Sequence, residues 1–170
     1  MVRDSAASLL LLPVAGCSWI LDFSDGAIPR DAQPDAPYTQ AECDYKEPND
    51  SAATAAVITA ADTGPAAICA GDVEDHDFYR FTVPAMTAKV ELRVDYIYRM
   101  TGDLDLRLFD KAGTTVLAQS HGFGNEELIV CPGASPVCPA LAADDYVFEV
   151  FPAIPGSVND YTFALTLTPM

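Results

Sequence analysis

From Lys89 to Tyr98 the chain alternates, with Val90, Leu92, Val94 and Tyr96 set against Glu91, Arg93 and Asp95. A period of two belongs to a half-buried strand, whose successive side chains point to opposite faces. Leu104, Leu106 and Leu108 alternate with Asp105 and Arg107 in the same way, and between Tyr161 and Thr168 the residues Tyr161, Phe163, Leu165 and Leu167 share a face. Phe78 to Val83 is aromatic and β-branched, and Glu127 to Val130 and Tyr146 to Phe151 read as further strands. Asp110-Lys111-Ala112-Gly113 supplies a turn into Thr114 to Gln119, the order of a hairpin. Only Ser51 to Thr59 offers a short amphipathic helix. Short strands joined by polar turns predict an all-β fold, an antiparallel β-sandwich of jelly-roll-like form.

At 170 residues, half of them apolar, the chain has room for one such domain and too much hydrophobic content to be disordered throughout. No second domain and no internal repeat is legible. The net charge of −16 repels phosphate backbones, so nucleic acid is disfavoured as a partner, as is adhesion to anionic lipid. Calcium and basic partners are favoured by the same field.

The first residues carry an address. An apolar run from Ala6 to Gly16 ends in Leu12-Pro13-Val14-Ala15-Gly16-Cys17, far short of the roughly 20 apolar residues that span a bilayer. Small residues directly before a cysteine resemble the lipobox of bacterial lipoproteins. That resemblance implies a signal peptide over 1–16, cleavage before Cys17, and a lipid anchor on Cys17 that ties the chain to the bacterial envelope. Ser18 after the cysteine, where aspartate often signals inner-membrane retention, implies the outer membrane. The n-region is weak for the type, since Arg3 is cancelled by Asp4. From 17 to 42, Asp22, Asp25, Pro29, Asp31, Pro34, Asp35 and Pro37 break any hydrophobic period. Prolines and self-repelling carboxylates make this an extended tether. Trp19, Ile20, Leu21 and Phe23 could rest at the lipid interface or simply belong to a disordered arm. The sandwich is expected over 43–170.

With Cys17 given to lipid, Cys43, Cys69, Cys131 and Cys138 form an even set in an exported chain, where disulfides persist. Pro132-Gly133-Ala134-Ser135-Pro136 would fold Cys131 back on Cys138, which leaves Cys43 for Cys69. A metal site is the competing reading; the spacing lacks the close pairs of structural zinc sites, and His76 and His121 are isolated.

Four blocks in order carry a second resemblance: Glu47-Pro48-Asn49-Asp50-Ser51, Gly71 to Phe81, Gly102 to Asp110, and Ala143 to Val150 with the closing Tyr161 to Leu165. Together they resemble the bacterial pre-peptidase C-terminal domain, a small β-sandwich appended to secreted proteases and related to the collagen-binding segments of clostridial collagenases. Asp145 stands where that family often has glycine. The resemblance implies calcium held by Glu47, Asn49 and Asp50 together with Asp75 and Asp77, with Asp72 nearby. Those are hard oxygen donors of the kind calcium takes, about 6 to 8 at a time. The same residues can also be read as solvated turns, with Asn49-Asp50-Ser51 capping a helix. Gly102-Asp103-Leu104-Asp105 invites a second metal site, since Asp103 and Asp105 would share one side of a strand, but a solvent-exposed strand face is the favoured reading of the pair.

No Gly-x-Ser-x-Gly elbow, His-Glu-x-x-His helix or phosphate loop occurs, and His76 reads as a solvated loop residue. Tyr96, Tyr98 and Phe123 could stack on a sugar or a peptide, or fill the core. The expectation is therefore a non-enzymatic, monomeric, lipid-anchored accessory module that binds an extracellular protein or polysaccharide. A carbohydrate-binding jelly-roll lipoprotein is the alternative, and a secreted hydrolase the more distant one. Cys17→Ala should abolish incorporation of radiolabelled palmitate in a bacterial host; a wild-type chain that takes up no label would refute the anchor.

Overall fold

The computed structural model describes residues 38–71 and 74–170. Cys17, the signal segment, most of the tether and Asp72 lie outside the described residues. In chain order the elements are α1 (Gln40–Cys43), β1 (Ala56–Val57), β2 (Ala66–Ile68), β3 (Asp77–Val83), β4 (Thr87–Tyr96), β5 (Leu104–Phe109), β6 (Val116–Ser120), β7 (Glu126–Cys131), β8 (Gly133–Ala134), β9 (Val137–Cys138), β10 (Asp144–Pro152) and β11 (Asn159–Pro169). One sheet has the order β1-β3-β10-β5-β6 and the other β2-β11-β4-β7, with β8-β9 a small separate ribbon. All pairings are antiparallel except that of β1 with β3.

The alternation read from the sequence becomes the inner face of the sandwich. Val90, Leu92, Val94 and Tyr96 of β4 are buried, as are Tyr79, Phe81 and Val83 of β3 and Leu104, Leu106 and Leu108 of β5. Aromatic rings join the sheets, Tyr79 lying 4.8 Å from Phe163 of β11 and 5.0 Å from Phe148 of β10 between ring centroids. Such tilted pairs add to the hydrophobic gain of burying large rings. Strand β10 departs from alternation: from Tyr146 to Pro152 every residue is buried. It is central in its sheet, and its outer face is covered as well as its inner one. Arg107 lies 4.2 Å over the Phe151 ring and His76 stacks against the same ring.

The helix anticipated over Ser51 to Thr59 does not form. Ser51 and Thr54 hydroxyls bond each other at 2.8 Å, and Thr54 N–H returns to the Ser51 carbonyl in a turn. Ala56–Val57 then pairs with Tyr79 and Arg80. Side chains that satisfy the local backbone compete with helix here, and a neighbouring sheet edge takes the rest. Conversely, a one-turn helix forms at Gln40–Cys43, where the Glu42 carboxylate accepts the Thr39 N–H. Tyr38 to Glu42, assigned by sequence to the tether, are thus part of the described fold, and the Tyr38 hydroxyl accepts the Ala70 N–H at 3.0 Å.

Registers bring several strand ends to one end of the sandwich. Asp77 pairs with Val150, Leu104 with Pro152, Tyr96 with Tyr161, and Asn159 with Ile68. The loops after β2, β4, β6 and β10 therefore gather beside the start of β3. Two disulfides close the chain, Cys43–Cys69 and Cys131–Cys138. At the hairpin turn, Gly113 has a φ of +70°, and an added Cβ would sit 2.2 Å from that of Ala52. Gly113→Ala should therefore cost about 1–2 kcal/mol from the left-handed backbone alone, with the clash adding to it, and thermal melting should show a Tm lowered by several degrees.

Candidate metal centre

Glu47, Asp75 and Asp77 each place a carboxylate oxygen so that all three atoms lie within 4.8 Å of one another. They arrive from two stretches of chain. Glu47 lies in the segment after α1, and Asp75 and Asp77 flank His76 at the entry to β3. Asn49 knits the two together, since its N–H donates to Glu47 at 2.8 Å and its carbonyl accepts the Phe78 N–H at 2.9 Å.

Each carboxylate has one oxygen engaged by the protein. Glu47 takes the Asn49 N–H, Asp75 the Cys69 N–H at 2.6 Å, and Asp77 the Tyr161 hydroxyl. Tyr161 in turn lies 2.7 Å from the Tyr79 hydroxyl. Since Tyr161 donates to Asp77, Tyr79 is the donor in that second contact. These bonds orient each carboxylate within the cluster.

The electrostatics are those of crowded, desolvated acids. Burial first, and then the neighbouring carboxylates, raises the pKa of Glu47 and of Asp75 and pushes that of Asp77 well above the usual carboxylate value. Asp50, itself exposed, adds to the repulsion on Glu47 and Asp75 without joining the three donors. Asn49 is fully buried, and neither its Oδ1 nor its Nδ2 has a hydrogen-bond partner among the described residues. Leaving a buried polar group unpaired costs about 1–3 kcal/mol. Three hard carboxylates make a donor set that suits calcium, whose flexible shell accepts mixed carboxylate, amide and water oxygens, and the buried Asn49 amide lies against Asp77. The residues present fit that ion.

Other anticipated residues have different surroundings. Asp103 is buried before β5 and accepts the Tyr96 hydroxyl at 3.0 Å, while Asp105 is half-buried, so the pair does not line an exposed strand face. Tyr96 is core, whereas Phe123 is 89% exposed and Tyr98 37%. His76 is not a solvated loop residue: its Nδ1 lies 2.7 Å from buried Glu149, whose other oxygen meets Arg107 at 3.1 Å. The hydrogen bond to Glu149 is the main reason its pKa is raised. Two groups went unnoticed in the sequence. The alternation marks Tyr161 only as a core aromatic, although a tyrosine in an apolar stripe carries a hydroxyl that needs a partner. Ile97 and Met100, exposed in the loop after β4, have no periodic signal at all.

Against known proteins, no family model matches the sequence, and a search of curated proteins returns no match. Among solved structures, the fold is similar to the crystal structure of the pre-peptidase C-terminal domain of a collagenase from Bacillus anthracis, with a TM-score of 0.51. The likeness is one of fold. Sequence identity is 15%, over 66% of this chain and 94% of that one.

Asp105 gives a pH test independent of the three donors. Burial, then the charges of Glu127 and Asp103, raises its pKa to about 6. The unfolded chain ionises this group near the ordinary aspartate value of 3.8, so the folded state binds the extra proton between there and about 6 and loses that advantage as pH rises. Asp105→Asn should accordingly raise Tm relative to wild type above pH 6 and lose that gain as pH falls toward 4. Thermal melts across this range check the sign.

Proposed function

We propose that this chain is a non-catalytic, calcium-stabilised binding module, lipid-anchored through Cys17 to the bacterial envelope, that presents one end of its sandwich to an extracellular protein. The observation that carries the reading is the convergence of Glu47, Asp75 and Asp77, with the buried, unpartnered Asn49 amide beside Asp77. Calcium would be held by these four side chains, with water completing its shell, and would supply the positive charge that offsets their repulsion. The likeness in fold to the pre-peptidase C-terminal domain of a collagenase supports an accessory role beside other proteins.

The surface assigned to the partner is formed by Ile97, Tyr98 and Met100 in the loop after β4 and Phe123 in the loop after β6. Their exposures are 62%, 37%, 86% and 89%. The loops that carry them are braced. Buried Asn159 donates to the carbonyls of Ile97 and Gly102 at 2.8 and 2.7 Å, and Asn125 accepts the Tyr98 N–H at 2.7 Å. Tyr98 and Phe123 rings meet edge to face. Exposed apolar groups held in place and surrounded by a strongly acidic chain suit a partner whose apolar contact is rimmed by lysine and arginine. Binding to a glycan array, if it depended on Phe123, would favour the polysaccharide alternative instead.

A ligand that binds only the folded state stabilises it by mass action, about 2.7 kcal/mol at a hundred times its dissociation constant. Millimolar calcium should raise Tm over that in excess chelator, magnesium should do so less, and Asp75→Ala with Asp77→Ala should erase the difference. Identical melting curves with chelator and with calcium would overturn the cation site.

A further inference from the structure

The Cys43–Cys69 disulfide joins the two arms that bring the donors together. Cys43 ends α1, four residues before Glu47, and Cys69 lies six residues before Asp75. Their Cα atoms are 5.9 Å apart across a sequence separation of 26. Cys69 does more than hold a staple: its backbone N–H is the donor that orients the Asp75 carboxylate. Around this junction the arms are otherwise held by the Phe78 N–H on the Asn49 carbonyl and the Ala70 N–H on the Tyr38 hydroxyl. Both cysteines are half-buried, so a small thiol can reach the bond.

We infer that the Cys43–Cys69 disulfide gates cation affinity at Glu47, Asn49, Asp75 and Asp77, so that the site is high-affinity only in the oxidised chain. This rests on the cation-site reading above. An ion must hold donors from both arms at once, and the cost of bringing the arms together falls on the disulfide while it is intact. After reduction, the ion itself must order the segment of Glu47 and Asn49 against that of Asp75 and Asp77, and the Cys69 amide that aims Asp75 loses its anchor. Removing an outer support of this kind lowers metal affinity by roughly 10- to 100-fold.

The redox step balances with a thiol as co-reactant. One thiolate attacks a sulfur of the bond and forms a mixed disulfide, releasing the other cysteine as a thiolate. A second thiolate displaces the first cysteine, leaving the reductant as its own disulfide and both cysteines as thiols after protonation by water. Linkage makes the effect reciprocal: calcium must shift this equilibrium toward the intact bond by the factor by which oxidation raises calcium affinity.

Calcium titration calorimetry on the oxidised full chain, the dithiothreitol-reduced chain, and a Cys43→Ser/Cys69→Ser variant tests the inference. The expected result is at least a tenfold weaker dissociation constant in the latter two, with a Cys131→Ser/Cys138→Ser variant retaining the oxidised value. Equal affinities in oxidised and Cys43→Ser/Cys69→Ser chains would overturn the gating alone. No calcium uptake by the oxidised wild type would overturn the site and the gating with it. Should the serine variant fail to fold, the reciprocal measurement decides on wild-type protein. In a glutathione buffer, saturating calcium should raise the ratio of intact to reduced Cys43–Cys69 by the same factor, and an unchanged ratio would reject the coupling.

Discussion

Asp77 is a carboxylate buried at the junction of the two sheets, and the rest of the candidate site depends on how its burial is tolerated. Strand β3 contributes Asp77 and Tyr79, and strand β11 contributes Tyr161, so the hydrogen-bond chain Tyr79 to Tyr161 to Asp77 crosses from one sheet to the other. A buried acid normally escapes the cost of desolvation by remaining protonated, which is the direction of its raised pKa. A cation at the cluster would reverse that balance by stabilising the ionised form. In the proposed function, ion binding is therefore tied to inter-sheet packing through a single carboxylate.

The outer face of the five-stranded sheet shows another answer to the same problem. Glu149 is as buried as Asp77, yet it sits between Arg107 and His76, which bond both its oxygens. Arg107 and His76 also cover the Phe151 ring, so one small group of side chains both pairs the charge and seals the hydrophobic surface. The contrast is informative because both acids lie in paired strands, Glu149 opposite Phe78 and Asp77 opposite Val150. One face brings an arginine and a histidine of its own to the buried acid; the other gathers three acids, with an unpartnered amide beside one of them.

Much of the fold was legible because half-burial imposes a period of two, and β4, β5 and β11 display it openly. Strand β10 was found by its β-branched and aromatic residues, but its all-buried outer face could not be read, since the covering groups His76 and Arg107 come from distant segments. The Ser51 to Thr59 segment misled because alanines favour helix locally, whereas the Ser51–Thr54 contact and pairing with β3 are a local cap and a long-range bond respectively. For the site, the residue types and the two acidic segments were visible, but their meeting was not. It depends on the pairing of strands and on Cys43 reaching Cys69. Tyr161, whose hydroxyl anchors Asp77, looked like any other core aromatic in an alternating strand.

The central claim is that Asp77, held by Tyr161, belongs to a calcium site. Terbium can substitute for calcium in oxygen-rich sites, and its emission is excited by energy transfer from a nearby tyrosine. The measurement is terbium luminescence excited through tyrosine absorption in the full chain. The account predicts sensitised emission that calcium displaces and that Asp77→Asn abolishes. Sensitised emission that is absent, or that survives excess calcium, would contradict it.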